Sequence, residues 1–249
     1  MEIQQIIEIA KKASIEAGEK IMEIYNSADF GIELKGDKSP LTLADKAAHN
    51  VIVSYLEKTN LPILSEEGKN INFEERKKWE MFWMVDPLDG TKEFIKKNGE
   101  FTVNIALIKN NETIAGVIYA PVFKQLFWGI KGEGAWKTEN EITSTLKISK
   151  HPIEVIVASR SHLSQETEDF IKDYPNAKTL SMGSSFKFLL IAENKAQIYP
   201  RFAPTMEWDT AAGQAIVEAA GGEVINWETK SKMLYNKNNL LNAWFLVKN

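Results

Sequence analysis

Trp83-Met84-Val85-Asp86-Pro87-Leu88-Asp89-Gly90-Thr91 reads as an apolar strand ending in two carboxylates three residues apart. The strand, Phe82 to Val85, is expected to stop at Asp86-Pro87. Pro87 fixes its own φ, lacks an amide donor and suits the first position of a helix. Asp86 and Asp89 then face one space, and the Leu88 carbonyl, freed from strand pairing, supplies a third oxygen. Gly90 and Thr91 bring amide N–H groups to a helix start, where an anion is favoured. Carboxylates beside an anionic phosphate repel it unless cations lie between them, so the segment points to metal. Taken alone, the two aspartates serve equally well as a turn and a helix cap.

Two further acidic sites shift that balance. Leu64-Ser65-Glu66-Glu67 closes a short buried strand, Leu61 to Leu64, as Asp86 closes its own. Trp208-Asp209-Thr210-Ala211-Ala212-Gly213 opens a helix with an apolar face that Ala219-Ala220-Gly221-Gly222 ends. Asp209 alone reads as an N-cap. Three acidic groups, each at the end of an element, argue together for one site.

Outward from these motifs the chain alternates strands and helices. Ile3, Ile6, Ile7, Ala10, Ala13 and Ala17 recur at helical spacing and predict a helix over 3–25. Residues 27–40 are polar and read as a strand pair or a loop, and a second helix spans 42–58. Strands 101–108 and 113–120 pair around Asn110-Asn111, and 125–130 and 134–136 extend the sheet. The polar stretch Lys137 to Thr145 is the best boundary, giving domains 1–145 and 146–249. Beyond it come strand 155–158, helices 165–172 and 185–192, strand 197–199, helix 210–220 and two closing strands. Such mixing in both halves predicts a layered α/β (α+β) enzyme. Tyr25, Trp79, Trp83, Trp128, Trp136 and Trp244 read as core or interface aromatics.

The absence of cysteine excludes disulfides, thiolate zinc sites and cysteine nucleophiles. His49, His151 and His162 have no metal-ligand spacing between them. Net charge is −4 without clustered Lys or Arg, so no nucleic-acid polymer is expected as partner. No window approaches the roughly 18 apolar residues of a membrane span. The start, with Glu2 and Glu8, lacks the pattern of a signal peptide. The expectation is a soluble, cytoplasmic protein, with peripheral association at the inner membrane as the alternative.

The blocks Leu64-Ser65-Glu66-Glu67, Asp86-Pro87-Leu88-Asp89-Gly90-Thr91 and Trp208-Asp209-Thr210-Ala211-Ala212-Gly213 resemble, in order and separation, the three signature motifs of the inositol monophosphatase superfamily. The resemblance implies a five-layer α-β-α-β-α sandwich with the active site in a cleft. Domain 1–145 would carry most metal ligands and domain 146–249 would carry Asp209 and the nucleotide-side residues. It implies metal binding by Glu66, Asp86, the Leu88 carbonyl, Asp89 and Asp209. An all-oxygen set of this kind suits Mg²⁺, about two or three ions per site. Asp45, in Pro40-Leu41-Thr42-Leu43-Ala44-Asp45, is similar to the family's helix-opening aspartate. By resemblance it pairs with Thr91 to take the proton from the attacking water, with Glu66 beside them. Read from spacing alone, Asp45 is a solvated helix residue.

Extensions of the motifs resemble one branch, the bacterial 3′(2′),5′-bisphosphate nucleotidases of the CysQ type. They are Asp89-Gly90-Thr91-Lys92-Glu93-Phe94, Asn98-Gly99-Glu100-Phe101-Thr102-Val103-Asn104-Ile105, Ser159-Arg160-Ser161-His162, Gly183-Ser184-Ser185-Phe186-Lys187 and Tyr199-Pro200-Arg201-Phe202. A bisphosphate needs a second anion site, and Ser184, Lys187 and Arg201 are its candidates, with His162 at the adenine. Leu88, Asp89, Gly90, Thr91 and Asp209 would meet the reacting phosphate. The expected substrate is adenosine 3′,5′-bisphosphate (PAP), hydrolysed to AMP, and also its sulfated relative PAPS, in sulfur assimilation. The alternatives are an inositol monophosphatase, a sugar bisphosphatase, an inactive metal- or nucleotide-binding protein, or a purely structural one. The assembly is expected to be a monomer or homodimer.

Overall fold

The computed structural model describes residues 2–27, 30–34, 40–160 and 163–249. Helix α1 (Ile3–Tyr25) is followed by a short antiparallel pair, β1 (Glu33–Leu34) and β2 (Pro40–Leu41), and by α2 (Leu43–Leu56), which a 3-10 turn at Glu57–Thr59 closes. Then come β3 (Ile63–Ser65), α3 (Phe73–Arg76), β4 (Met81–Asp89) and α4 (Thr91–Ile95). A meander follows: β5 (Thr102–Lys109), β6 (Glu112–Ala120), β7 (Gln125–Ile130), β8 (Gly134–Glu139) and β9 (Ile142–Leu146). The chain continues through β10 (Val155–Ser159), α5 (Gln165–Lys172), β11 (Lys178–Met182) and α6 (Phe186–Ala192). It ends with β12 (Ile198–Arg201), α7 (Glu207–Ala220), β13 (Glu223–Asn226) and β14 (Phe245–Lys248).

Strands β3 to β9 form a seven-stranded sheet in chain order, and the second sheet has the order β11-β10-β12-β14-β13. Helices α1 and α2 cover one face of the first sheet. Helices α6 and α7 lie between the sheets, and α5 packs outside the second. These are the five layers α-β-α-β-α.

Strands β4 to β7 are buried on both faces, and their alternation decides which layer each residue meets. Trp83, Val85, Val103, Ile105, Leu107 and Val117 join the core beneath α1 and α2. Phe82, Met84, Ala106, Ile108 and Ile118 join the core around α6 and α7. Asp86 and Asn104 continue the second, even-numbered series, which turns them toward the middle layer. Helix α7 comes unusually close to the sheet. A Cβ on Gly116 would lie 2.5 Å from the Ala212 carbonyl oxygen, and one on Gly129 would lie 2.8 Å from the Ile216 Cα. Glycine at both positions lets the helix rest on bare backbone, and this fixes where Asp209 stands.

Three sequence expectations change. Strand β4 does not end at Asp86-Pro87 but runs to Asp89. Asp86 pairs with Asn104 and Asp89 with Thr102, so β4 carries one residue more than β5 there. Pro87 sits in this bulge, where a missing donor breaks no ladder bond, and not at a helix start. The polar stretch Lys137 to Thr145, read as the boundary, is itself folded. It forms the β8–β9 hairpin, with Asn140 and Glu141 both at positive φ in a two-residue turn. Helix α7 begins at Glu207, three residues ahead of the expected start, which makes Asp209 its third residue and not its cap. Finally, β11 and α3 were not foreseen: β11 is exposed along most of its length and α3 spans a single turn.

Candidate active site

The carboxyl end of β4, the amino ends of α2 and α7, the end of β3 and the β11–α6 turn converge on a cavity of about 240 Å³. Glu66, Asp89, Thr91, Asp209, Ser184, Lys187 and Arg201 line it, together with Gly90. The structure thus brings together, across more than a hundred residues of sequence, most of the residues singled out above. Asp45, Asp86 and Leu88 stand behind this lining, each about 2% exposed. His162 lies outside the described residues.

Asp45 and Asp209 are placed by the same local device. Each is the third residue of its helix and folds one oxygen back onto the cap. Asp45 Oδ2 accepts the Thr42 amide at 2.8 Å and the Thr42 hydroxyl at 2.6 Å. Asp209 Oδ2 accepts the Met206 amide at 2.9 Å. This satisfies helix-start donors and locks both side chains. The other oxygen of Asp45 receives the Thr91 hydroxyl at 3.2 Å. Thr91 Oγ1 also lies 3.3 Å from the Leu88 carbonyl, which the bulge has released from the ladder. Asp86 Oδ1 accepts the Leu88 amide at 3.1 Å, which tightens the same turn.

Asp89 is held from the middle layer. Its Oδ2 accepts the Ser184 and Ser185 hydroxyls, each at 2.8 Å, and the Asn104 amide at 3.2 Å. Thr102 Oγ1 lies 2.7 Å from Ser184 Oγ and 2.9 Å from Asn104 Oδ1. Ser185 Oγ also reaches the Asp209 carbonyl at 3.1 Å, which joins the two acidic elements. Sequence reasoning assigned no role to Thr102, Asn104 or Ser185. The available signal was two polar residues at i and i+2 in an otherwise apolar strand, which fall on one face of the sheet. Ser184, expected on the phosphate side, spends its hydroxyl on Asp89.

The electrostatics are those of a site that repels itself. The Asp86 carboxyl is pushed well above the ordinary range by burial, then by Glu66, Asp89 and Asp209, and a side-chain hydrogen bond links it to Glu66. Asp209 is pushed up by burial, then by Asp89 and Glu66, with the Met206 amide and Arg201 opposing. Buried like charges of this kind are relieved by a bound cation. The donors are oxygens alone, the described bonds of Asp89 and Asp209 engage Oδ2, and both residues line the cavity. The residues therefore fit a hard divalent ion. Among the described residues no three acidic or histidine side chains yet close into a ready-made coordination shell.

The lining also includes two cations, Lys187 and Arg201. Lys187 Nζ is buried, donates to the Ser184 carbonyl and lies 3.4 Å from the Met182 carbonyl and 5.5 Å from the centre of the Tyr199 ring. Burial lowers its pKa to about 8, against the pull of Asp89, with Arg201 lowering it further. Arg201, the last residue of β12, donates to the Pro204 carbonyl at 3.0 Å.

The model of the inositol monophosphatase family matches residues 2–246. The chain belongs to this family. It is 43% identical to the 3′(2′),5′-bisphosphate nucleotidase CysQ of Salmonella typhimurium over 98% of both chains. It is 47% identical to that of Buchnera aphidicola over 90% of this chain and 84% of the other. Among solved structures, CysQ from Bacteroides thetaiotaomicron superposes with a TM-score of 0.91 at 47% identity, covering 99% of this chain and 97% of that one. The family is one of metal-dependent phosphatases. No described helix is long and apolar enough to cross a membrane.

Proposed function

We propose that the protein is a Mg²⁺-dependent 3′(2′),5′-bisphosphate nucleotidase that removes the 3′-phosphate of PAP to give AMP, and acts likewise on PAPS to give APS. One observation carries this reading. A single cavity is lined both by carboxylates (Glu66, Asp89, Asp209), its acidic wall, and by cations (Lys187, Arg201), its basic wall, with Thr91 also in the lining. A substrate with one phosphate uses one wall, whereas a bisphosphate uses both. The names of the relatives at 43–47% identity point the same way. Consumption of PAP would relieve its inhibition of the enzymes of sulfur assimilation.

Glu66, Asp86, Asp89, Asp209 and the Leu88 carbonyl would hold the ions, about two or three of them. When bound, Mg²⁺ supplies charge neutralisation at the phosphate and lowers the pKa of water. The rest falls to the chain. Asp45, locked onto Thr42, takes the Thr91 hydroxyl proton, so that the Thr91 oxygen presents a lone pair as acceptor for the proton of the attacking water. Gly90 and Thr91 line the reacting phosphate. Lys187 and Arg201 hold the second phosphate by charge-assisted hydrogen bonds.

The test is phosphate release from PAP, inositol 1-phosphate and fructose 1,6-bisphosphate under identical Mg²⁺. The highest kcat/KM should be with PAP. A preference for inositol 1-phosphate or for the sugar bisphosphate would replace the reading with another of the same family, and no turnover of any of the three would leave a binding protein.

A further inference from the structure

Glu100 ties the β5 side of the cavity to the β11–α6 turn. It precedes β5 on the side of the seven-stranded sheet, yet its carboxylate is occupied entirely from the other side. Oε1 accepts Arg160 Nη2 at 2.7 Å, and Oε2 accepts Arg160 Nε at 2.9 Å and the Gly183 amide at 2.7 Å. Arg160 Nη2 also donates to the Ser181 carbonyl at 2.9 Å. The fork-to-carboxylate geometry is bidentate and the Glu100 side chain is only 13% exposed, so this pair escapes the near-zero worth of most surface ion pairs.

What the pair holds is the Met182–Ser185 turn. There is no slack in that turn. A Cβ on Gly183 would lie 2.8 Å from Glu93 Cγ and 3.1 Å from two Glu100 oxygens. One on Gly90 would lie 2.9 Å from the Glu100 carbonyl oxygen and 3.2 Å from Ser184 Cβ. Ser184 itself is at φ +50°, a strained conformation for a side-chain-bearing residue that its surroundings must impose. From this turn two lines lead into the cavity: the Ser184 and Ser185 hydroxyls fix Asp89, and the Ser184 and Met182 carbonyls fix the Lys187 ammonium.

We propose that Glu100 and Arg160 act as one positioning clamp, which sets the Met182–Ser185 turn against Asp89 and so tunes both metal affinity and the placement of Lys187. Neither residue touches a reacting atom. The Lys187 half of the proposal rests on the bisphosphate reading above. The Asp89 half does not.

The experiment uses Arg160→Ala, Arg160→Lys, Glu100→Gln and the double variant Glu100→Gln/Arg160→Ala in the full chain. Arg160 is half exposed, so its variants keep the fold even where Glu100→Gln loses it. Two quantities are read: Mg²⁺ affinity by calorimetry without substrate, and KM against kcat for PAP and for one monophosphate that the wild type hydrolyses. Loss of a direct partner of a metal ligand costs about 10–100-fold in metal affinity. The serines remain here and are only loosened, so Arg160→Ala should weaken Mg²⁺ binding about three- to tenfold and raise KM for PAP by a similar factor. At saturating Mg²⁺ and substrate, kcat should stay within about twofold. Arg160→Lys should fall between, since a single ammonium replaces a fork. The double variant should be no worse than the poorer single one, because the two residues are one device. Unchanged Mg²⁺ affinity with a lowered Tm would reduce the pair to a structural strut and overturn the proposal, as would additive losses in the double variant. If Mg²⁺ affinity falls while PAP and the monophosphate lose equally, the clamp stands and the second-phosphate reading of Lys187 is what fails.

Discussion

Thr91 Oγ1 and Asp45 Oδ1 lie 3.2 Å apart, while Asp45 Oδ2 is held by both the amide and the hydroxyl of Thr42. Asp45 is therefore not free to rotate away, and its one remaining oxygen orients the Thr91 proton. General-base assistance of this kind contributes about 10²–10⁴-fold. Thr91→Ala should lower kcat by about that factor while KM for PAP moves less than about threefold, whereas Thr91→Ser should keep most of the activity. Steady-state kinetics decide: a change confined to KM would make Thr91 a substrate-positioning residue.

The crowding of carboxylates makes an opposite pair of predictions for stability and activity. Asp86 is raised above its unfolded pKa by burial and by its acidic neighbours. For a carboxyl raised in the folded state, stability is greatest at low pH and is lost as pH rises through the native pKa. At neutral pH without Mg²⁺ the charge is thus a burden. Asp86→Asn should raise the metal-free Tm by roughly 2–6 °C, equivalent to about 1–2 kcal/mol for a chain of this size. It should also abolish the Tm gain on adding Mg²⁺ and remove nearly all turnover. A metal-free Tm that falls, with turnover kept, would take Asp86 out of the ion site.

How much of this was legible in the sequence depends on the range of the interaction. The acidic residues are visible because each follows a local pattern: Glu66 and Asp86 come directly after apolar strand segments, and Asp45 and Asp209 lie in the first turns of helices. The order of the strands β5 to β8 is visible because short turns join neighbours. What the sequence hides is whatever the middle layer decides. Asp45 reads as solvated and is buried, because β4 and α4 arrive over its helix end. Pro87 reads as a strand stop and is a bulge, because β5 supplies pairing on both sides of it. Ser184 reads as an anion ligand, and only the approach of the β11–α6 turn to β4 gives its hydroxyl to Asp89. The polar hairpin β8–β9 resembles a linker because its outer strand is exposed and so lacks the apolar signature of a sheet.

The set of donors around Asp89 should be felt through the metal. Ser185 Oγ and Asn104 Nδ2 both reach Asp89 Oδ2 and bond each other at 2.9 Å. Ser185→Ala and Asn104→Ala should each raise the half-saturating Mg²⁺ concentration about 10–100-fold, with much of kcat recovered at saturating Mg²⁺. Titration of activity against Mg²⁺ reads this directly. A kcat loss that no Mg²⁺ concentration restores would assign these residues to the reacting phosphate.

The basic wall can be tested through charge and through pH. Arg201→Ala should cost about 1.5–3 kcal/mol in kcat/KM for PAP, the range for a charge-assisted hydrogen bond, and much less for 3′-AMP, which lacks the second phosphate. Lys187 adds a pH signature. Its pKa of about 8 means that the ammonium is present below that pH and is lost as pH rises through it. The pH dependence of kcat/KM reports the free enzyme and free substrate, so above the ionisation of the second phosphate itself, near pH 6, the ratio of kcat/KM for PAP to that for 3′-AMP should be level up to about pH 8 and fall above it. Taking the ratio cancels ionisations shared by both substrates, such as those of the acidic wall and the attacking water. Lys187→Arg keeps its charge throughout and should hold the ratio flat to higher pH, while Lys187→Met should start from a low ratio that no longer changes. If the wild-type ratio does not bend near pH 8, or if Arg201→Ala lowers both substrates equally, the second phosphate is bound elsewhere in the cleft.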